Sequence, residues 1–352
     1  MATKFNPEIE LQDTGKTYSY YGTYYGYPYS DIPILNSPIT PRENWFRAVR
    51  GEDYEWVPDC VGDIYDITPD IIPDVVACGF NGGLDNFGVE WVPLENGLPA
   101  MVPPGKPMLE DISEWREKLV WPDVDSWDWE GASKNYEKSV NEGRFNRGIL
   151  LSGFFERLIS LMDFDGAAIA MITEPEEVRA FFEKLADHNI AIIEHYRKYL
   201  KTDGIMLHDD WGSQRSAFFS TDTFRETIME PYKRVVQRTH ELGMLFIAHC
   251  CGNALDFVPY MVECGVDSWQ MQPDASDPMI AKDLAQGKLK LECPPPMPED
   301  LAEEDTEQYI YDYIKRHDNE LFYSTMDPVT YMLTPELRKL IYKVDRTIAN
   351  EK

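Results

Sequence analysis

The stretch MLFIAHCCGN, Met244–Asn253, decides the fold of this chain. Its first five residues are apolar and unbroken, which is the length and composition of a strand buried on both faces. Gly252 and Asn253 then favour a turn, and an apolar helical segment follows. A buried strand that ends in a polar loop is typical of a parallel sheet whose strand ends carry the functional residues.

Similar apolar runs recur at the spacing of strand–helix units. We predict further strands at 148–151, 204–207, 266–271, 289–293 and 321–324, beside 244–248. Helical patterns cover 174–200, 221–242, 254–264, 277–285, 300–316 and 334–348. Two earlier segments, 55–58 and 74–78, bring the strand count to the eight that a (β/α)8 barrel needs.

The predicted fold class is therefore α/β, a (β/α)8 TIM barrel with an N-terminal extension and a lid-like insertion. We assign residues 1–40 to a Tyr-rich N-terminal arm and residues 41–352 to a single barrel domain, with the insertion near 85–130. The alternative is an open doubly wound sheet. That fold usually carries a Gly-rich phosphate loop after an early strand, and neither a GxGxxG nor a P-loop motif occurs here.

Two segments fall outside the barrel pattern. Residues 18–29, YSYYGTYYGYPY, hold seven tyrosines among glycines and a proline. We expect an ordered arm draped over the barrel or a dimer partner, the alternative being a stacking platform for bases. Residues 85–130 are rich in Trp, Phe and Pro, and we expect them to roof the barrel mouth and to form an aromatic pocket.

Composition narrows the class of protein. The chain has 62 acidic and 33 basic residues and a net charge of −29, which opposes nucleic acid and acidic membranes as partners. The N-terminus has no signal-peptide pattern, and no apolar run is long enough to cross a bilayer. Six scattered cysteines fit reduced thiols rather than a disulfide framework. We therefore expect a cytoplasmic protein in an anaerobic, or at least a reducing, setting.

The strand that ends in His249 and Cys251 is the first candidate site. Side chains alternate along a strand, so these two residues project to the same side. Imidazole and thiolate are both zinc ligands, but zinc needs further ligands, and Cys293 at the next-but-one strand end is a candidate. The alternative is that these residues are packed, hydrogen-bonded parts of the core.

Asp209 and Asp210 follow another strand. Two adjacent carboxylates at a buried strand end raise each other's pKa, so one of them could serve as a proton donor. The alternative is that one caps a turn while the other is solvated.

Several motifs together resemble the uroporphyrinogen decarboxylase superfamily. Residues 41–58, PRENWFRAVRGEDYEWVP, are similar to that superfamily's N-terminal signature. Residues 87–91 (FGVEW), 155–158 (FERL), 209–214 (DDWGSQ) and His249-x-Cys251-Gly252-Asn253 resemble its cobalamin-dependent methyltransferase branch. The resemblance covers nearly the whole chain from residue 40 onward.

The resemblance implies a barrel whose mouth receives a methyl donor and the cobalamin of a separate corrinoid protein. In thiol-methylating members, His-x-Cys and a Cys near the last strand hold zinc. Here that strand reads FYSTMD, 322–327, without Cys, so a third ligand would have to be Glu292, Cys293 or Asp327. The incomplete set resembles instead the first methyltransferase of O-demethylase systems, which moves a methyl group from an ether, commonly aromatic, onto Co(I).

Our expected site follows from these arguments. The expected catalytic residues are Asp209, Asp210 and His249, and zinc is a candidate cofactor at His249 and Cys251. We expect substrate contacts from Glu90, Trp91, Phe154, Trp211, Gln214 and Tyr323.

Other activities stay open at this point. A uroporphyrinogen decarboxylase-like enzyme would need an Arg-lined cleft for a polycarboxylate, and only Arg42, Arg47 and Arg50 offer themselves. A zinc-dependent thiol methyltransferase, a barrel that merely binds a corrinoid partner, and a homodimer are further alternatives.

Overall fold

The computed structural model describes residues 3–18, 32–60, 62–79, 81–94, 100–293, 298, 300–317, 321–322 and 335–351. Most of the Tyr-rich segment, and Tyr323 and Asp327 among the expected site residues, lie outside these ranges.

The strands, in chain order, are β1 (Thr17–Tyr18), β2 (Ile32–Pro33), β3 (Ile64–Ile67), β4 (Gly83–Leu84), β5 (Glu90–Trp91), β6 (Phe145–Leu150), β7 (Gly204–His208), β8 (Leu245–Cys250), β9 (Ser268–Met271), β10 (Lys290–Glu292) and β11 (Leu321–Phe322). The α-helices are α1 (Pro7–Glu10), α2 (Pro41–Arg50), α3 (Trp115–Lys118), α4 (Trp129–Tyr136), α5 (Phe154–Thr173), α6 (Pro175–Leu200), α7 (Thr221–Thr227), α8 (Met229–Glu241), α9 (Val258–Cys264), α10 (Pro278–Ala285), α11 (Thr306–His317) and α12 (Pro335–Glu351).

Seven strands form one parallel sheet in the order β11-β10-β9-β8-β7-β6-β3. The order follows the chain, and helices connect the strands from β6 onward, as in a (β/α) barrel. The fold class is α/β with this barrel-type topology, as the sequence predicts. The predicted strands after residue 140 are all confirmed to within a few residues, as far as they are described.

One ion pair shows that the sheet is curled. The Nη1 atom of Arg147 on β6 lies 3.0 Å from Oε2 of Glu292 on β10. These strands are four places apart, which is roughly 19 Å in a flat sheet and beyond the reach of an arginine side chain. Asp66 on β3 also binds the Arg147 guanidinium, with Nε–Oδ1 of 2.7 Å. The barrel interior therefore carries a buried charged layer.

Two predicted strands are wrong. Residues 55–58 form no strand, and residues 73–78 form a 3-10 helix that begins with Pro73. Pro73 fixes φ at a helical value and lacks an N–H for a sheet, which the apolar composition of this segment concealed. The first barrel strand described is instead β3, which pairs in parallel with β6.

The sequence reading also missed α5. This helix runs from Phe154 to Thr173 with a break at Asp163, where φ is 60° and ψ is 168°. Its apolar residues are spread around the helix, so the helical period is weak. Its N-terminus follows the end of β6 and belongs to the barrel mouth.

No helix in the described part of the chain has the length and apolarity needed to span a membrane.

Candidate functional site

Two histidines meet at the carboxyl ends of neighbouring strands. His208 is the last residue of β7, and His249 is the register partner of His208 on β8. Their imidazole rings stack with centroids 4.1 Å apart and an interplanar angle of 16°. Both are buried, with 8% of His208 and 2% of His249 exposed. The parallel register therefore brings two distant sequence positions to one place on the barrel rim.

Each ring is oriented through its Nδ1 atom. Nδ1 of His208 lies 2.8 Å from Oε2 of Glu156, in the first turn of α5. Nδ1 of His249 lies 2.8 Å from Oε1 of Gln270 on β9. An amide oxygen only accepts, so this bond places the proton of His249 on Nδ1 and the lone pair on Nε2. Partners of this kind are usual for histidines that bind a metal through the other nitrogen.

Asp210 completes the group. Its Oδ1 atom lies 3.8 Å from Nε2 of His249 and accepts the backbone N–H of Cys251 at 2.6 Å. Within the described ranges, His208, Asp210 and His249 are the three residues whose ligand atoms all lie within 4.8 Å of one another. The Sγ atom of Cys251 lies beside them, 3.4 Å from Nε2 of His249.

The two imidazoles differ in charge. Burial alone would lower the pKa of His208, but the Glu156 carboxylate raises it to about 9. Burial, together with the charge of His208, lowers the pKa of His249 to about 3. In the metal-free protein near neutral pH, the site therefore holds one imidazolium stacked on one neutral imidazole.

The donor set fits a divalent transition metal. Two imidazoles and one carboxylate are the ligands of several catalytic zinc sites, which keep a fourth position open. Ligand atoms about 2.1 Å from zinc in a tetrahedral site are roughly 3.4 Å apart, within the limit of this cluster.

Asp209 has a structural task instead of the expected catalytic one. Its carboxylate accepts the backbone N–H groups of Phe154 (2.9 Å), Phe155 (3.2 Å) and Glu156 (3.0 Å), and the indole N–H of Trp211 (2.9 Å). Burial and the Glu156 carboxylate raise its pKa to about 7, yet the residue is 1% exposed and its oxygens face these donors. We correct its role to the cap that fixes α5, and hence Glu156, against the end of β7.

Two proposed third metal ligands are also corrected. The Glu292 carboxylate is fully buried and binds Arg147 and the hydroxyl of Ser268, whose Oγ lies 2.6 Å from Oε1. Cys293 is 1% exposed, and burial followed by the charge of Glu292 raises its pKa to about 12. Within the described ranges, Cys293 is not part of the group of ligand atoms around His249. The third candidate, Asp327, lies outside the described residues.

Phe154 and Trp211 are wrong as substrate contacts. Phe154 is fully buried against Phe182 of α6 and Tyr232 of α8. Trp211 is 1% exposed and packs on Tyr232 and Phe257. Both rings thus fill the layer between the helices, where a substrate has no access.

The other expected contacts are placed differently. Gln214 is exposed in the loop after β7, and Glu90 is exposed in the β4–β5 hairpin. The indole of Trp91 donates to Oδ2 of Asp85 at 3.1 Å, and Asp85 pairs with Arg157 in the first turn of α5. The hairpin is therefore anchored beside Glu156, so substrate contact by Glu90 and Trp91 stays a prediction. Tyr323 is not among the described residues.

The tryptophans of the insertion do not form the expected pocket. Trp115 and Trp121 pack on Phe181, Trp127 contacts His188, and Trp129 stacks on His195, all three partners being on α6. These aromatic positions recur every seven residues along α6. They form a stripe along one face of α6. Burial of the tryptophans against this stripe stabilises the fold more than leaving them exposed around an open pocket would.

Comparison with known proteins finds one family similarity. Residues 151–317 match the uroporphyrinogen decarboxylase (URO-D) family model. The similarity covers just under half of the chain. The matched segment holds β7 to β10 and every member of the His208, Asp210 and His249 cluster. No curated protein sequence matches the chain significantly.

The fold of the chain is similar to that of a solved methyltransferase structure. A methyltransferase from Methanosarcina mazei is similar with a TM-score of 0.61 and 15% identity, covering 88% of this chain and 99% of that chain. The intracellular xylanase TsXylA from Thermoanaerobacterium saccharolyticum is more distant, with a TM-score of 0.36 and 10% identity over 61% of this chain and 76% of the xylanase.

The arginines of α2 lie away from the barrel mouth. Arg42 of α2 binds Asp203 with Nη2–Oδ1 of 2.7 Å, and Asp203 immediately precedes the first residue of β7. Arg47 pairs with Glu43, and Arg50 lies over the Phe46 ring. These arginines therefore sit at the amino ends of the strands and cannot line a carboxylate-binding cleft at the opposite rim.

The sequence analysis assigned no role to three members of the site: His208, Glu156 and Gln270. The signal for His208 was present, because aligning the predicted strands 204–207 and 244–248 in parallel puts His208 beside His249. Glu156 could not be found in this way, because its helix was itself missed.

Proposed function

We propose that this protein is a methyltransferase of the uroporphyrinogen decarboxylase superfamily. Its methyl donor is a methyl ether, commonly aromatic, and its acceptor is Co(I) in the corrinoid of a separate protein. The observation that carries the proposal is the cluster of His208, Asp210 and His249, a donor set that fits a metal ion, at the carboxyl ends of the barrel strands. The likeness of the fold to the Methanosarcina mazei methyltransferase supports it.

The chemistry explains why such a centre is needed. The Co(I) electron pair attacks the methyl carbon, the carbon–oxygen bond breaks, and its electron pair stays on the departing oxygen. The products are methyl–Co(III) and an alkoxide or phenolate, which then takes a proton from the site or from water. A phenol has a pKa of about 10, so its anion is a poor leaving group without electrostatic help.

The residues around the two imidazoles supply this help. Glu156 and Gln270 fix the rings, so that the cluster needs little reorganisation as negative charge develops on oxygen. In the metal-free protein the positive charge at the cluster is that of the His208 imidazolium, which is paired with the Glu156 carboxylate. Zinc bound at the cluster would act as a Lewis acid toward the departing oxygen. The low exposure of both histidines excludes water, which strengthens these interactions.

A decarboxylase acting on a polycarboxylate is not favoured. Of the arginines in the described barrel interior, Arg147 is already neutralised by Asp66 and Glu292, and the α2 arginines lie at the other end of the strands.

The test is a direct assay. The protein is mixed with a reduced corrinoid protein and with separate panels of methyl ethers, methylamines and methyl thioethers, and the cobalt absorption spectrum is followed. We expect methyl–Co(III) to form with an ether and to require the protein. Failure with every ether would reject ether demethylation, and failure with every donor would reject methyl transfer.

A further inference from the structure

We infer that the hydroxyl of Ser152 donates a hydrogen bond to the ether oxygen of the methyl donor, which makes Ser152 a further catalytic residue at the barrel mouth. The inference rests on the proposed function for the identity of the donor. Ser152 lies in the short turn between Leu150, the last residue of β6, and Phe154, the first residue of α5.

The first argument is backbone strain. Ser152 has φ of 59° and is 4% exposed. Three other non-glycine residues in the described part of the chain have positive φ. Lys201 and Gln286 directly follow α6 and α10, where a left-handed residue commonly ends a helix, and the Asp163 carboxylate binds the backbone N–H of Gly105. Ser152 alone among the four is buried and ends no helix, and strained residues of this kind cluster at functional sites.

The second argument is that the Ser152 hydroxyl has no structural task. A serine at the start of a helix usually accepts a backbone N–H of the first turn. Here Gly153 is the N-cap residue, and the Asp209 carboxylate accepts the N–H groups of that turn. Within the described ranges the Ser152 side chain forms no hydrogen bond, and its Oγ is not among the unpartnered polar atoms that are sealed inside the protein. The hydroxyl can therefore bond a ligand.

The third argument is location, because Ser152 lies at the same rim as His208. The backbone N–H of Gly153 donates to the carbonyl of His208 at 2.6 Å, and the His208 ring is held by Glu156 from the first turn of α5. A Cβ at position 153 would collide with Asp209, so the turn approaches β7 as closely as a glycine allows. One tightly packed turn therefore carries both the hydroxyl and the carboxylate that orients the imidazole.

A hydroxyl suits the developing charge on the ether oxygen. The serine O–H donates to a neutral oxygen in the bound ether and to a negatively charged one as the carbon–oxygen bond breaks. Because a hydrogen bond to a charged acceptor is the stronger of the two, it stabilises the transition state more than the bound substrate. The hydroxyl keeps its proton, the methyl carbon bonds to cobalt, and the electron pair of the broken bond stays on the departing oxygen.

Two substitutions separate the hydroxyl from the strain. Ser152→Ala removes the hydroxyl and keeps the left-handed backbone, whereas Ser152→Gly removes both. With aryl methyl ethers that support methyl transfer to the reduced corrinoid protein, we expect Ser152→Ala to lower kcat/KM about 10- to 100-fold, chiefly through kcat. Its midpoint of denaturant unfolding should stay close to that of the wild type. Ser152→Gly should be equally slow, but its midpoint should rise because the strain is relieved.

Gln286→Gly is the matched control. It relieves the same kind of strain at an exposed position directly after α10, before the amino end of β10 and so away from the mouth. We expect this variant to have a raised unfolding midpoint and the kcat/KM of the wild type.

The leaving group gives a readout that a structural role would not change. Across aryl methyl ethers whose phenols differ in pKa, the loss in Ser152→Ala should grow as the phenol becomes less acidic, because a poorer leaving group needs more stabilisation. Methyl transfer by Ser152→Ala at the rate of the wild type, or a loss that is the same for every phenol, would overturn the inference and leave the proposed function standing. The absence of methyl transfer from every ether in the wild type would reject the proposed function and this inference with it.

Discussion

His208 and His249 stack face to face with their ring centroids 4.1 Å apart, although 40 residues separate them in the chain. Their register pairing on β7 and β8 produces this contact, and oxygens from two further elements hold the rings. The site is therefore a product of the barrel rim as a whole, and its precision depends on the loops that fix the strand ends.

Gly252 lies where the loops after β7 and β8 approach each other closely. It has φ of 75°, and a Cβ there would collide with the carbonyl oxygen of Gly212 in the loop after β7. We expect Gly252→Ala to lower the free energy of unfolding by about 3 kcal/mol or more, because both strain and a backbone collision arise. Gly265 is the matched control: φ is 87° but there is room for Cβ, so Gly265→Ala should cost about 1–2 kcal/mol. Equal losses in denaturant unfolding would contradict the close approach.

Asp209 should matter for stability more than Asp210 does. Asp209→Ala leaves three helix N–H groups and one indole N–H buried without their acceptor, so we expect a loss of about 3–5 kcal/mol. The half-buried Asp210 accepts one backbone N–H, and Asp210→Ala should cost about 1 kcal/mol. The comparison is made by denaturant unfolding of both variants. A small loss in Asp209→Ala would show that α5 is fixed by other contacts.

Arg147 should be needed for closure of the barrel. Arg147→Met removes the cation that binds both Asp66 and Glu292 and leaves the buried Glu292 carboxylate without this partner, so we expect a loss of about 3–5 kcal/mol. Arg238→Met breaks a partly exposed pair with Glu194 and should cost at most about 1 kcal/mol. Unfolding free energies that do not separate the two variants would refute this account of the interior layer.

His188 should make the protein sensitive to acid. The ring is buried among Phe87, Trp121 and Trp127, and burial, then the charges of Arg157 and Lys184, lower its pKa to about 3. Between about pH 6.5 and pH 3, His188 is protonated in the unfolded chain but stays neutral in the folded protein. Stability is therefore present above pH 6.5 and is lost as pH falls, by up to about 1.4 kcal/mol per pH unit from this group.

The variant His188→Phe tests this sign. The pH dependence of its unfolding free energy should be shallower than that of the wild type below pH 6.5. Parallel curves for the two proteins would show that His188 titrates alike in the folded and unfolded states.

The barrel was predictable from the sequence where strands are buried on both faces. The runs at 204–207 and 244–248 have the length and composition of buried strands, and the helices between them are amphipathic. The first strand was missed because Ile64–Ile67 is only four residues long and includes the charged Asp66, which pairs with Arg147 in the interior layer. The sequence pattern of this one segment does not show that Asp66 has an ion-pair partner, Arg147, on β6.

The site was predictable in part for the same reason. Strand alternation correctly placed His249 and Cys251 at the mouth, but it compares residues along one strand only. His208 and Gln270 enter through neighbouring strands, and Glu156 enters through a helix held by Asp209. Cross-strand register and helix capping are features of the tertiary structure, and they determine which side chains come into contact.

The central claim is tested most directly by single-turnover methyl transfer from a series of aryl methyl ethers whose phenols differ in pKa. Rates of methyl–Co(III) formation are measured for the metal-loaded wild type and for His208→Ala, with His240→Gln as control. We predict that transfer occurs and that its rate depends only weakly on phenol pKa in the wild type, and steeply in His208→Ala, because the centre that stabilises the departing oxygen is lost. The absence of methyl–Co(III) with every ether, or the same dependence in both proteins, would contradict the account.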